Sequence, residues 1–495
     1  MPQPVTQSIC RSPARTVLAL LALSCAAGPA RAQFAFDTLN DPFVVSKRHD
    51  VGKHLFSVSN TGRLSGPLLS GGLWVGAVVG TDTLVTTTWD GWRFNLSEFE
   101  PATLRAQEEF GEFPIERDIF DTLADDHNLA KSQQDFIVTY YDTLEVDDFS
   151  DFDGRPHRPL NLRVRQSSYA WGMDYADDFV LVDYLFTNLG KKTLTKLYLG
   201  MFLDGRDAGG VDSYDWVQGF LGEGDAFFPD SVACSFRDPV NFAWYADVDG
   251  LSINAQTGAV DSTGNRAAAG FKILRPVDPL LNLNFNWWLS SQEKHQDFGP
   301  RKILSNGRPF RDFGGFLGTP EGDKNKYHQL SNGERDYDQV YTAVDHSGDG
   351  WLLPPPDAAD IANGRFDTHE VISIGPFELS PGQSVPFTVA LFVGENFHRD
   401  PANFSENYDP LAPDAYYENL DFSGLIESAT WARWVYDNPG VDTDGDGFRG
   451  EYRVCVSEVE LNVDTSFVID SSGPAPDTQL VVDTTELAPR EDTVW

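Results

Sequence analysis

Cysteine is scarce in this chain: there are 4 in 495 residues, and Cys10 and Cys25 fall inside an N-terminal stretch that reads as a leader. That scarcity excludes a disulfide-built scaffold and a cysteine-rich zinc cluster. Basic residues are few as well, with 37 Lys and Arg against 75 Asp and Glu and a formal net charge of −38. Such a surface repels phosphate backbones and anionic lipid, so neither is expected as a partner. Beyond the leader no stretch approaches the roughly 20 apolar residues a membrane helix needs, so no span is expected. The chain also lacks a GxSxG elbow, an HExxH pair and a Walker glycine loop. "SQEK" at Ser291 to Lys294 fits an SxxK pattern, but without an SDN or KTG companion it reads as chance. His49 and His54 would face opposite sides of a strand, so they make no ready metal pair.

Aromatic and acidic residues are what the chain has in quantity. With 41% hydrophobic residues and 12 Trp, 16 Tyr and 35 Phe it can build a packed core, and it is not a disordered acidic tail. Arg11 and Arg15 precede the apolar run "TVLALLALSCAAG" and then "ARA" before Gln33. A charged start, a short apolar run and a small-residue cleavage site are the parts of a secretory signal peptide. Cleavage after Ala32 removes three arginines and leaves 463 residues at about −41. The mature protein is expected to be secreted or at the cell surface.

A saline exterior suits the chain's clearest motif, "VDTDGDGFRGEYRVC". Calcium takes six to eight oxygens, and a short chain supplies them by curling around the ion. Asp442, Asp444 and Asp446 stand at positions 1, 3 and 5 of such a loop, Gly447 at its sharp turn, and the Phe448 carbonyl at position 7. Position 12 is Arg453 where a bidentate Glu is usual, so an EF-hand is disfavoured and Glu451 is the nearest carboxylate to complete the shell. Ca2+ is the one cofactor expected, in a structural role.

The rest reads as strands separated by Gly, Pro and Asp turns. Residues 70 to 89 alternate apolar and small residues around Gly80, Thr81 and Asp82, a hairpin signal. Val180, Val182, Tyr184 and Phe186 share one strand face, "NLGKK" reads as a turn, and Leu197, Leu199 and Met201 return along the face of a partner strand. "HEVISIGPFELSPGQSVPFTVALFVGE" reads as another such pair, turning at Pro381 and Gly382. Between Asp421 and Asn438 the spacing of Phe422, Leu425, Ile426 and Ala429 predicts a helix, stopped by Pro439 and Gly440. These patterns predict a mainly β protein, an antiparallel β-sandwich of one extended or two packed units with one helix near the C-terminal end. The expected divisions are a signal peptide at 1–32, an N-terminal β region at 33–145 and a central sandwich region at 146–365. A strand pair, helix and calcium loop at 366–455 and an acidic tail or linker at 456–495 complete them.

Several residues admit more than one reading. Asp204, Asp207, Asp212 and Asp215 in "FLDGRDAGGVDSYDW" suit a carboxylate pair for glycoside cleavage, a second calcium cradle, or a solvated turn. "ADVDG" at 246–250 and "DHSGDG" at 345–350 read as turns. Trp287 and Trp288 must face opposite ways on a strand, one into the core and the other free to stack on a sugar or a partner protein, although most Trp of a β protein fill the space between sheets. Trp89 and Trp92 raise the same question. Cys234 and Cys455, left after leader removal, are either one long-range disulfide or two buried thiols.

The strings "SGGLWVGAVVGTDTL", "FAWYADVDG", "FNWW", "GTPEGDKNKYHQLSNGERDYDQ", "GPFELSPGQSVPFTVALFVGE" and "NPGVDTDGDGFRGEYRVC" occur in that order. In this the chain resembles a family of uncharacterised secreted bacterial proteins, many with a C-terminal surface-sorting domain. The resemblance spans roughly residues 34 to 455 and implies export, but it offers no catalytic residues to carry over. Residues 456 to 495 depart from it, without a clear sorting domain. The sequence therefore points to an extracellular or cell-surface structural or binding protein, with polysaccharide or another surface protein as its partner class. The alternative is a secreted carbohydrate-active hydrolase using paired carboxylates.

Overall fold

The computed structural model describes residues 67–88, 98–102, 109–119, 122–145, 157–171, 176, 178–207, 216–221, 241–253, 260–261, 266–276, 280–289, 299–303, 320, 322–364 and 368–436. It also gives the backbone of short strands at 34–35, 59–60, 453–456, 461–470, 477–486 and 491–494.

Alternating inward apolar residues build two antiparallel sheets. In chain order their strands are β1 (Pro67–Val79), β2 (Asp82–Thr87), β3 (Glu100–Pro101), β4 (Ile115–Asp118), β5 (Gln134–Asp142), β6 (Leu162–Ala170) and β7 (Phe179–Asn188). There follow β8 (Leu194–Asp207), β9 (Trp216–Leu221), β10 (Phe242–Asp247), β11 (Ala268–Arg275), β12 (Asn282–Leu289), β13 (Thr368–Leu379) and β14 (Ser384–Gly394). A five-stranded sheet has the order β12-β13-β8-β1-β2. A nine-stranded sheet has the order β9-β10-β11-β14-β7-β6-β5-β3, with β4 also on β5. Between them lies the main core: Leu73, Val75, Leu199, Met201, Trp287 and Ile372 from one side meet Val180, Val182, Phe186, Val389 and Leu391 from the other. The sandwich read from the sequence is the fold.

The hairpin at Gly80 forms as expected, with Val79 opposite Asp82. The other two strand pairs do not close on themselves, and this corrects the sequence reading. β7 pairs with β6 and β14, whereas β8 pairs with β1 and β13. Each turn therefore carries the chain from one sheet to the other, as an arch. The inward alternation of Val180, Val182 and Leu199, Met201 is the same in either geometry, because both strands face one core. The two arches hold each other: Asn188 donates its backbone N–H to the Gln383 carbonyl at 3.0 Å and its side-chain amide to the Leu379 carbonyl at 2.9 Å.

Helices cover both outer faces. Of α1 (Gly322–Ser331), α2 (Ala358–Ala362), α3 (Asn403–Asn407), α4 (Asp414–Tyr417) and α5 (Ser423–Tyr436), the last is the expected C-terminal helix. Its Leu425, Ala429, Ala432 and Tyr436 pack on Trp244, Ala390 and Phe392 of the nine-stranded sheet. On the five-stranded sheet, α1 lays Leu330 and Tyr327 over Trp74, Phe202 and Trp288. Side chains at Gly76 and Gly200 would meet Leu330, so glycine there is what admits the helix. Although α1 has little apolar surface, its last carbonyls are caught by the sheet: Asn284 and Ser373 donate to Leu330 O at 3.0 and 2.8 Å, and Asn286 donates to Gln329 O at 3.2 Å. Trp287 and Trp288 do face opposite ways, but both are fully buried, so neither is free to stack on a ligand. Trp89 and Trp92 lie outside the described residues.

In the 456–495 stretch, Leu461–Asp470 pairs with Asp477–Glu486, and Glu491–Val494 pairs with Arg453–Val456 at its border.

Candidate functional site

The residues singled out for chemistry fall mostly outside the described part. Asp442, Asp444, Asp446, Phe448 and Glu451 of the expected calcium loop do so, as do Cys234, Asp212 and Asp215. Asp204 and Asp207 are described by backbone alone, at the end of β8, with Asp204 in register with Ser70 and His369 and Asp207 opposite Pro67. Cys455 is likewise placed by backbone alone, opposite Asp492. Both minor acidic motifs are turns: Asp247 Oδ1 accepts from the Asp249 and Gly250 amides at 3.0 and 2.6 Å, and Asp345 Oδ1 accepts from Ser347 N at 2.8 Å. Among the described residues, no group of three or more His, Cys, Asp or Glu is placed to hold a metal ion. No helix among them is long and apolar enough to cross a membrane.

The structure instead gathers charge along the two open sides of the sandwich. On the β2–β5 side, His157 sits between two carboxylates, with Nδ1 at 3.1 Å from Glu98 Oε1 and Nε2 at 2.8 Å from Asp142 Oδ1. All three are at most 4% exposed. The remaining carboxylate oxygens accept from the chain itself: Thr86 Oγ1 and Leu160 N donate to Asp142 Oδ2 at 2.7 Å, and Thr87 N donates to Glu98 Oε2 at 2.6 Å. Burial alone would push the imidazole down, but Glu98 and Asp142 outweigh it and hold the ring protonated up to about pH 11. With both ring nitrogens and all four oxygens engaged, this centre works as a brace between β2 of one sheet and β5 of the other.

On the opposite side a strap, residues 334–341, runs from the edge of β12 to the edge of β9. Backbone bonds seat it on β12, from Phe285 N to Glu334 O and from Asp336 N to Phe285 O, each at 3.0 Å. Asp336 Oδ2 accepts from Trp287 N at 3.1 Å, and the Trp287 indole donates to Tyr337 O at 2.8 Å. The strap's one-turn helix at 339–341 reaches β9, where a side chain at Gly219 would overlap the Asp338 carboxylate. Exposed sheet edges invite pairing with other chains, and the strap covers two of them.

Buried acids lie along this side. Glu334, Asp336 and Asp338 come from the strap, and Glu370 comes from β13, where it is 1% exposed and in register between Leu203 and Trp287. Burial and then the Asp338 carboxylate hold Glu370 well above the ordinary carboxylate range. Asp336 is pushed the same way by burial and by Glu334, against the pull of Arg301. Arg301 is itself 1% exposed, and burial brings it down to about 10 despite the attraction of Asp336 and Glu334. The Tyr417 hydroxyl donates to Asp338 Oδ2 at 2.6 Å. An acid pair of the glycosidase kind would need substrate at both groups, and the acids here are enclosed.

Sequence reasoning missed Glu98, Asp142, His157, Asp338 and Glu370. The first three lie far apart in the chain and form no motif. Glu370 did leave a trace, as a carboxylate at an inward position of the apolar run "HEVISI".

No family model matches the chain, and no curated protein does. Among solved structures, a candidate aldose 1-epimerase from Escherichia coli K12 is 14% identical with a TM-score of 0.19, over 53% of this chain and 66% of that one. A GalM/aldose epimerase homologue from C. elegans is 9% identical with a TM-score of 0.19, over 52% of this chain and 66% of that one. A likeness at that score carries no argument about this chain.

Proposed function

We propose that the protein is a secreted or cell-surface structural or binding protein, stabilised by calcium at Asp442, Asp444 and Asp446, with a polysaccharide or another surface protein as its partner. The leader-like N-terminus and the acidic charge support the location. The observation that carries the non-catalytic reading is the use made of His157, Glu98 and Asp142: chemically capable groups, at most 4% exposed, are consumed in bracing the sheets. Exposed apolar residues on the β4–β5 side, among them Phe110, Phe113 and Leu123 at 66, 50 and 93%, leave surface for a partner. The alternative, a carboxylate hydrolase, would use two of Asp204, Asp207, Asp212 and Asp215, open to substrate on either side of the scissile bond. Purified mature protein screened against a polysaccharide panel, for retention and for cleavage, tests the proposal. Retention without cleavage is expected. Cleavage abolished by Asp207→Asn or Asp212→Asn in a folded protein would overturn it.

A further inference from the structure

Near the C-terminal end lies an antiparallel pair that joins neither large sheet. Among the described strands, Leu461–Asp470 and Asp477–Glu486 pair only with each other. Residues directly opposite in such a pair share a face, and successive residues along a strand alternate faces. The register therefore sorts this hairpin by character. One face carries Leu461, Val463, Phe467 and Ile469 of the first strand with Leu480 and Val482 of the second. Its one acid is Glu486, at the end of the pair, opposite Leu461. The other face carries Asp464 opposite Asp483 and Asp470 opposite Asp477. Like charges placed directly opposite repel, so that face belongs in water.

A two-stranded sheet is marginal alone and needs a second layer over its apolar face. The sandwich has already used its outer sheet faces, under α1 at Trp74 and Phe202 and under α5 at Trp244 and Phe392. We propose that the second layer is a second copy of this chain: two hairpins pack apolar face to apolar face about a two-fold axis. The result is a small four-stranded sandwich that joins two proteins. Charge favours this face over any other, because chains of net charge −38 can meet there with acids only at the ends of the contact. Two strands of about 34 Å at a spacing of about 4.8 Å give a face of roughly 300 Å². That is the small end of specific interfaces, so a micromolar dimer is expected. Whatever the main sandwich binds, the dimer holds two copies of it, and a weak site becomes an avid one.

Sedimentation equilibrium of the full mature chain, over about 1 to about 100 μM, tests this. The mass should rise toward twice that of one chain. F467D and L480D, which put a carboxylate on the apolar face, should each weaken association by roughly tenfold or more. V468D and V481D make the same change on the other face and should leave it within about twofold. Added salt should tighten the wild-type dimer, because it screens repulsion between acidic bodies and spares an apolar contact. If the aspartate variants misfold, F467A, which trims area without adding charge, must still weaken the dimer. A wild-type chain that stays monomeric throughout would overturn the proposal. So would a dimer that loosens in salt, one that F467A leaves unaltered, or one weakened equally by substitutions on both faces.

Discussion

His157 shows how much one residue can hold. Its ring bridges two carboxylates that would otherwise confront each other in the core between β2 and β5. Removing one member of such a buried, hydrogen-bonded set strands the others, which typically costs about 3–5 kcal/mol. H157Q should therefore lower the unfolding free energy in urea by that amount, while E98Q, which leaves one pair intact, should cost less. The pH signature is separable. Because the folded imidazole titrates up to about 11 against an ordinary 6.5, its contribution is whole below pH 6.5. It is lost as pH rises through the folded value. Wild-type and H157Q stabilities should converge toward pH 11, and parallel curves across that range would show that the ring is uncharged.

At the level of elements, the strands were legible, but of the three expected pairs only the Gly80 hairpin closes on itself. Period-two alternation marks a strand and its inward face, but Val180, Val182, Leu199 and Met201 alternate identically whether β7 and β8 pair or arch across a core. The helix α5 was legible because Leu425 and Ala429 fall on one stripe. In contrast, α1 has no such stripe, since it is held by Asn284, Asn286 and Ser373 from the sheet beneath. Without α1 in view, one of the two tryptophans reads as a ligand platform, because the outer face of the sheet that carries Trp288 then has no cover. The proposed calcium loop, next in sequence after α5, belongs at this scale. At a free calcium concentration about 100 times Kd, binding stabilises by roughly 2.7 kcal/mol. Each kcal/mol moves the melting point of a domain this size by about 2–4 °C. Chelation should lower Tm by several degrees, Asp444→Ala should do so in the presence of calcium, and magnesium should rescue poorly. Coincident melting curves with calcium and with chelator would reduce "DTDGDG" to a turn.

The whole molecule sums these local charges. Burial and neighbouring acids raise Glu334, Asp336, Glu370 and Asp247, and the carboxylates beside His157 raise that ring. Each of these contributions fades as pH rises. His328 and His398 pull the other way. Burial brings both down to about 4, so the unfolded chain takes up their protons first and stability falls as pH drops from 6.5 toward that value. The two sets oppose each other below pH 6.5 and leave the first unopposed above it, where a net charge of −38 adds self-repulsion. Calorimetry should find a higher Tm at pH 6.5 than at pH 9, by several degrees, and a flat or rising profile over that range would contradict it. Composition made the acidity plain. Which acids are neutralised by burial is a matter of side-chain neighbours that only folding brings together.

The two arches impose an order of events. β7 and β8 find their central partners in β14 and β13, far along the chain, as with Leu181 opposite Ala390 and Met201 opposite Ile372. Pairings of that span are slow to form, because the entropy of closing the loop is lost before any contact compensates. A growing chain that has not yet reached Thr368 cannot assemble the middle of either sheet. Each sheet stays split at the missing strand, and the last quarter of the polypeptide then acts as the trigger that joins its parts. A chain cut before Thr368 should be digested by trace protease within the time the full chain survives, and comparable resistance of the two would show that the N-terminal part folds by itself.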